Sequence, residues 1–430
     1  MSEAHDDVRM RGFRRRAAVD EVCARLRGWA RTLPAESVPV EAAAGRILAA
    51  DLIAPIDVPG FVRAAVDGYA VRGEDTFAAS DLSPIPLRLR GVSLPGRPCP
   101  EGLVAGEAIR ITTGAPLPAG ADAVLQAELA RPIERGGRAL VEAIGPVAPL
   151  RHLGQVGEDI PRGSTILAAG RALRPQDAGV IASLGLAAIE VVRRPRALVL
   201  VTGDELVPAG APLGPHQIVE SNSVTLAGLL RRDHAALVRV IRSRDGEAAV
   251  GAALDACEAA EADVIVASGA TSLGSEDWLP VLLARRGRVD VHGIAMRPSS
   301  PTGVGRLADG RPVLLLPGNP VSCLCAYEFF VGPLLRALGG RPDPWRWPHP
   351  RRSLPLARKI TSKVGRTDFV RARIVGAGEA AAIEPLATSG ASLLSSTVVA
   401  DGAVIVPPES EGHPEGEVVE LLGFDGGGAP

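Results

Sequence analysis

Apolar positions recur at helical spacing near the start of the chain, where Val19, Val22, Leu26 and Trp29 predict an amphipathic helix over residues 18–31. From residue 34 to about 150 the pattern changes to short apolar runs broken by Gly and Pro, such as residues 84–92 and 108–113. Runs of that kind predict twisted β structure. A helix is expected again over residues 175–184, with Gly185 placed as its stop. Between residues 196 and 340 the chain alternates. Strands are expected at 197–202, 236–241, 263–268, 289–296 and 313–316, and helices at 221–232, 248–262 and 321–338. Such alternation predicts a parallel, doubly wound sheet covered on both faces. Pro342, Pro344, Pro348 and Pro350, with Trp345 and Trp347, read as a stiff linker. Residues 353–422 return to short strands and turns, which suggests a small barrel, and residues 426–430 read as a frayed tail.

Composition narrows the function classes. At roughly 150 residues per domain, 430 residues suggest about three cores, and a 46% apolar content excludes a disordered chain. Forty-seven basic against 49 acidic residues leave a net charge of −2, so there is no electrostatic case for a nucleic-acid or membrane partner. Aromatics at 3% offer little for stacking on bases or sugars. The five cysteines are scattered and odd in number, which fits reduced thiols in a cytoplasm. Cys323 and Cys325 fall in a helical pattern, where residues two apart face different sides, so they do not read as a metal pair. The seven histidines form no ligand cluster. The first 16 residues mix acids and arginines without an apolar core and do not read as a secretory signal. Residues 313–335 carry one charge, Glu328, but Pro317-Gly318-Asn319-Pro320 interrupts them. A buried strand, a turn and a helix are expected there, not a membrane span.

Ligands of open α/β sheets bind at the carboxyl ends of the strands, so the loops that follow the strands carry the candidate chemistry. Thr202-Gly203-Asp204-Glu205-Leu206 puts two carboxylates at one strand mouth. The run Ser268-Gly269-Ala270-Thr271-Ser272-Leu273-Gly274 can curl backbone N–H groups around an anion. Pro317-Gly318-Asn319-Pro320-Val321-Ser322 feeds a helix whose N-terminus is a second anion site. Two anion cradles beside carboxylates suggest a phosphorylated substrate with a divalent cation. Each loop alone also reads as a glycine turn with capping residues, as does Val66-Asp67-Gly68-Tyr69 in the first half.

The ordered set of motifs resembles the molybdopterin molybdenumtransferase (molybdenum insertase) family, which includes the gephyrin E domain. The matching pieces include Val66-Asp67-Gly68-Tyr69-Ala70-Val71-Arg72, Arg110-Ile111-Thr112-Thr113-Gly114-Ala115-Pro116, Thr202-Gly203-Asp204-Glu205-Leu206, Ser221-Asn222, Gly318-Asn319-Pro320-Val321-Ser322 and Gly365-Arg366-Thr367-Asp368-Phe369-Val370-Arg371. The resemblance implies a multidomain α/β plus β fold: a disordered tail (1–16), an N-terminal helical and β region (17–193) with an inserted β domain (about 60–148), a molybdopterin-binding α/β domain (194–340), a linker (341–352) and a C-terminal β-barrel (353–424). It also implies a homodimer, with each active site shared between the α/β domain of one subunit and the N-terminal half of the other. The implied reaction inserts molybdate into adenylylated molybdopterin with release of AMP, assisted by Mg²⁺.

By the same resemblance, Asp67, Glu205, Asp277 and Thr113 are catalytic, and Glu205 and Asp277 hold the Mg²⁺. Asp245 matches a further acid, and Ser268, Gly269, Asn319 and Ser322 cradle pterin or phosphate. Arg371 and Ser392 bind molybdate. A molybdopterin adenylyltransferase or a recipient molybdoenzyme is the implied protein partner. The chain departs from the pattern at several cations. Pro298-Ser299-Ser300-Pro301 replaces a Pro-Gly-Lys-Pro loop, so Ser300 stands for a lysine, with Arg297 beside it as a partial substitute. An arginine position is Gly154, a lysine position is Pro280, and polar positions before Asp67 are Val62 and Ala64. Each charge-assisted hydrogen bond is worth about 1.5–3 kcal/mol. Two expectations follow: a working insertase that uses Arg297, Arg371 and water in place of lysines, or a non-catalytic paralogue that binds and delivers the cofactor.

Overall fold

The computed structural model describes residues 13, 15–269, 277–386 and 393–424. The opening helix forms at Val19–Trp29, and its Val22 and Leu26 are fully buried against the core that also holds Phe330, Leu334 and Leu335. Strand Ala35–Pro39 pairs antiparallel with Ala188–Val192, so the two ends of the N-terminal region meet around Leu48, Ile181 and Val191. Helix Pro175–Ser183 has Pro at its first turn, where no N–H is missed, and Gly185 turns the chain out at φ +77°. Between these lies a six-stranded sheet in the order Ala123–Gln126, Gly68–Val71, Glu107–Ile111, Ile85–Ser93, Arg138–Ala143, Ala130–Arg135. Gly68 permits the tight approach to its neighbour, because a Cβ there would lie 2.0 Å from the Leu125 carbonyl oxygen.

The central sheet runs Ala236–Ser243, Arg196–Thr202, Val264–Ser268, Pro312–Leu316, Gly303–Leu307, Gly287–His292. The first four strands are parallel, each entering from a loop at the same edge. Strand Gly303–Leu307 runs antiparallel to both its neighbours, Pro312–Leu316 and Gly287–His292, so the sheet is mixed and not wholly parallel as expected. The continuous strand expected over 289–296 is also broken. Gly293, at φ +95°, turns the chain away from the sheet, and Met296–Arg297 pairs in parallel with Thr367–Asp368 of the C-terminal sheet. A side chain at 293 would strike the Phe13 ring at 2.6 Å. Helix Leu279–Arg286 and strand Gly303–Leu307 complete the unit without having been expected. The helix expected over 248–262 closes early, at Glu247–Glu258.

Helix Pro320–Leu338 is long and apolar enough to cross a bilayer, but 89% of its most apolar window is buried inside the protein, as a core helix requires. Its middle turn, Tyr327–Val331, is a π-helix. There Glu328 points inward and pairs with Arg232 at the end of helix Asn222–Arg232. The proline-rich stretch is packed against the body. Trp345 and Trp347 lie on the main core, Arg27 stacks 5.2 Å from the Trp345 ring, and Trp347 Nε1 donates to the Gly423 carbonyl at 2.6 Å. The C-terminal strands follow the order Met296–Arg297, Thr367–Val375, Gly402–Val406, Val418–Gly423, Arg351–Pro355, with Ala382–Pro385 also on Thr367–Val375. A bridge between Leu356 and Ile383 joins the two free ends, closing a small barrel around Val370, Ala372 and Val404.

Candidate active site

The parallel strands end at a common mouth, and a cleft of about 610 Å³ opens there. Its walls are the loops after strands Arg196–Thr202, Ala236–Ser243, Val264–Ser268 and Pro312–Leu316. Of the residues singled out from sequence, Glu205, Asp245, Ser268, Gly269, Asp277 and Asn319 all line it. Four loops far apart in sequence are therefore brought to one place by the order of the sheet.

The cleft floor is built from close backbone approaches. Gly269 stands at φ +94°, and a Cβ there would lie 2.4 Å from the Thr202 carbonyl oxygen. Only glycine fits. The Thr202 hydroxyl beside it is buried with no hydrogen-bond partner among the described residues, which leaves a donor and acceptor for a ligand. Asn222 was part of a quoted motif but was not assigned to the site. Its amide donates both to Ser268 Oγ (2.9 Å) and to the Gly318 carbonyl (2.8 Å), tying two of the cradling loops together. Glu220 was also missed. Its buried carboxylate accepts from Ser223 N at 2.7 Å and from the Ser223 hydroxyl, and so fills the anion site at the start of helix Asn222–Arg232. The helix N-terminus at Asn319–Pro320 remains turned to the cleft. Asn222, as first residue of a helix beside the sheet mouth, carried a positional signal, whereas Glu220 carried none.

The carboxylates face one another. Burial first, then the charges of Asp204, Glu205 and Asp277, push Asp245 above the ordinary carboxylate range, although the Asp204 backbone N–H it accepts at 3.2 Å pulls the other way. Such crowding of like charges is relieved by a cation between them.

The remaining expected site residues lie elsewhere. Asp67 and Thr113 form their own pair, with Asp67 Oδ1 accepting from Thr113 N at 2.7 Å and Thr113 Oγ1 at 2.9 Å. Those two bonds, with Arg110 nearby, hold the Asp67 carboxyl below its usual range. The pair is exposed, and no residue before Val201 lines the cleft. Arg297, the expected substitute cation, does not line the cleft, and its Nη2 is bound to Asp368 at 2.8 Å, the same carboxylate that Arg366 holds. Backbone pairing of Met296–Arg297 with Thr367–Asp368 forces that partnership. Ser300 Oγ is buried and without a hydrogen-bond partner among the described residues, while Ser299 Oγ donates to the Ser322 carbonyl at 2.5 Å. Ser322 itself is buried in the first turn of its helix and does not line the cleft. Arg371 is 5% exposed, and burial pulls its pKa down, with the Cys325 sulfur nearby opposing the shift. Ser392 lies outside the described residues.

Comparison with known proteins agrees with this geometry. Residues 17–185 match the family described as MoeA N-terminal region (domain I and II), residues 198–337 a probable molybdopterin binding domain, and residues 353–424 the MoeA C-terminal region (domain IV). The chain is 40% identical over 345 residues to molybdopterin molybdenumtransferase 2 of Mycobacterium tuberculosis, covering 78% of this chain and 82% of that one. It is 33% identical over 391 residues to the molybdopterin molybdenumtransferase of Haemophilus influenzae, covering 91% and 94%. The crystal structure of a molybdopterin biosynthesis MoeA protein from Pyrococcus horikosii superposes with a TM-score of 0.82 at 34% identity, covering 96% of this chain and all of that one. The shared three-part architecture and these relatives make the chain a member of the molybdopterin molybdenumtransferase family, transferases of molybdenum cofactor biosynthesis.

Proposed function

We propose that this chain inserts molybdate into adenylylated molybdopterin, releasing AMP and the finished cofactor. The observation that carries this proposal is the meeting of Glu205, Asp245 and Asp277 with the Ser268–Gly269 and Asn319 cradles in one cleft. A site for anions that is also lined by acids calls for a divalent cation between the two. The donor set suits Mg²⁺, a hard ion that takes one or two carboxylates and completes its shell with water and substrate phosphate. Among the described residues no three His, Cys, Asp or Glu side chains are placed to hold an ion on their own, so water and substrate oxygens would have to complete the shell. Glu205 and Asp277 would hold it, and its charge would neutralise the phosphate where the adenylate is cleaved. Asn222 would orient the Ser268 hydroxyl toward the phosphate, and Gly269 would let the loop backbone close on it.

Asp67 and Thr113 enter the same site if the protein is a homodimer in which the N-terminal half of one subunit completes the cleft of the other. Their separation from the cleft within one subunit supports this arrangement. Asp67, held ionised, would act as a fixed negative charge and acceptor. The same family logic assigns the chain to a cytoplasm, in line with its five free thiols, between an adenylyltransferase and a recipient molybdoenzyme. It also divides the chain near residues 193, 340 and 352.

The engagement of Arg297 by Asp368, with Ser300 in the adjacent loop, favours a second reading as a carrier that binds the cofactor without turnover. Purified protein with adenylylated molybdopterin, Mg²⁺ and molybdate distinguishes the two. AMP release at a rate dependent on molybdate supports the insertase, whereas tight binding without AMP supports the carrier. Ser300→Lys is expected to tighten molybdate binding about tenfold, the value of one charge-assisted hydrogen bond, read from the molybdate dependence of AMP release.

A further inference from the structure

The cleft at the sheet mouth has no cation of its own. Glu205, Glu220, Asp245 and Asp277 line it, and among its described lining residues there is no arginine, lysine or histidine. Residues 270–276, which join Gly269 to Asp277, contain none either. Arg242 and Arg244, at the end of strand Ala236–Ser243, are paired with Glu220 at 3.8 Å and with Asp204 at 3.3 Å. Glu220 is thereby offset, and it also caps its helix. The other three carboxylates remain, and adenylylation of a phosphate makes a bridge with two further negative charges. One divalent ion does not balance that total, and the remainder repels the substrate.

A cation of the right kind is mounted beside Asp67 and Thr113. On strand Glu107–Ile111, Arg110 is the exposed position, while Ala108, Ile109 and Ile111 are buried and fix the strand in its sheet. Arg110 pairs in register with Tyr69, two residues after Asp67. Its charge helps to keep the Asp67 carboxyl ionised, yet Asp67 Oδ1 accepts from Thr113 N and Oγ1, and no ion pair closes on Arg110 among the described residues. The adjacent arginines are engaged, Arg63 by Glu158 at 3.2 Å and Arg72 by Glu74. A guanidinium left unpaired on a rigid strand keeps its fork for a two-point contact with phosphate. We propose that Arg110 is the cation that the N-terminal half of one subunit brings to the cleft of the other, where it binds the phosphate bridge of the adenylylated substrate. This inference rests on the proposed reaction and its shared site, and adds to them a residue that the family motifs left without a role.

Insertase and carrier alike must bind the substrate, so affinity for adenylylated molybdopterin, titrated with Mg²⁺ and without molybdate, is the first measure. Arg110→Met should weaken it at least about tenfold at an unchanged melting temperature. Arg110→Lys should recover part of the loss, since an ammonium restores the charge but not the fork. Equal affinity in the wild type and Arg110→Met would overturn the proposal. Subunit mixing is the second measure, read as AMP release at substrate below the KM. Refolded with Asp277→Asn, Arg110→Met should return to about a quarter of wild-type activity, because half the dimers then hold one intact site. Refolded with Asp67→Asn it should stay as low as its parents. The reverse pattern, or recovery with neither variant, would also overturn the proposal. A wild type that binds but releases no AMP sinks the insertase reading alone, and affinity then decides for Arg110. AMP release by Arg110→Met at the wild-type kcat/KM sinks this inference and leaves the insertase standing.

Discussion

At the scale of single residues, the cleft depends on positions where chemistry and space are both constrained. Gly269→Ala places a methyl 2.4 Å from the Thr202 carbonyl at a φ that L-residues avoid. The loop must move, so AMP release is expected to fall at least tenfold with little change in the far-UV circular dichroism. Asp245 makes a prediction with a definite sign. Its folded-state pKa is raised, so the folded protein binds that proton more tightly than the unfolded chain, and the ionised carboxylate costs stability above that pKa. Asp245→Asn should therefore raise the melting temperature by about 1 °C at neutral pH without divalent cations. The gain should fade as pH falls through the carboxylate range, and saturating Mg²⁺ should reverse it. Glu205 was visible as one of two acids directly after a strand, whereas Asp245 and Asp277 were named only because they match acidic positions of the family. Glu220 could not be picked out, since a carboxylate next to a serine-asparagine pair has the same letters whether it caps a helix or binds a ligand.

At the scale of elements, periodicity predicted most helices and strands, and the failures have local causes. Gly303 and Gly305 weaken the β signal of strand Gly303–Leu307, yet both are needed there. A Cβ on Gly305 would meet the Arg288 carbonyl at 2.3 Å, and one on Gly303 the Val291 carbonyl at 3.0 Å. Gly293, likewise, cuts an apolar run that alternation alone would continue. Helix Leu279–Arg286 buries Leu279, Leu282 and Leu283 at helical spacing, a pattern legible in the letters but short enough to be overlooked. The π-turn at Tyr327–Val331 has a clearer logic in three dimensions. It accompanies a buried network in which Arg232 spans Glu328 and Asp233, and Asp233 also takes Tyr327 and Arg336. Arg232→Met leaves two buried carboxylates short of a partner and is expected to cost about 3 kcal/mol, read as a lower urea midpoint for the α/β unit. Charge restoration by Arg232→Lys should recover only part of this, because a single ammonium cannot span both acids as the guanidinium fork does.

At the scale of the whole molecule, Asp67 and Asp277 test the proposed shared site. Each variant, Asp67→Asn or Asp277→Asn, is expected to lose AMP release by tenfold or more as a homodimer. After unfolding and refolding as an equal mixture, half the dimers are hybrids, each with one intact site. Activity should return to about a quarter of wild type. A mixture as inactive as its parents would place both acids in one subunit's site.

The order of motifs, the switch from short β runs to alternating strand and helix, and the acids at the strand mouths were determined by the sequence itself. Each is a property of neighbouring residues, and period, turn chemistry and loop position act locally. What only the tertiary structure decided was partnership across the fold. Arg297 pairs with Asp368 and does not line the cleft, Asn222 braces two loops, and Arg232 joins Asp233 to Glu328, 95 positions further along the chain. A guanidinium takes whichever acceptor packing brings within hydrogen-bond reach, and that choice depends on which strands lie side by side.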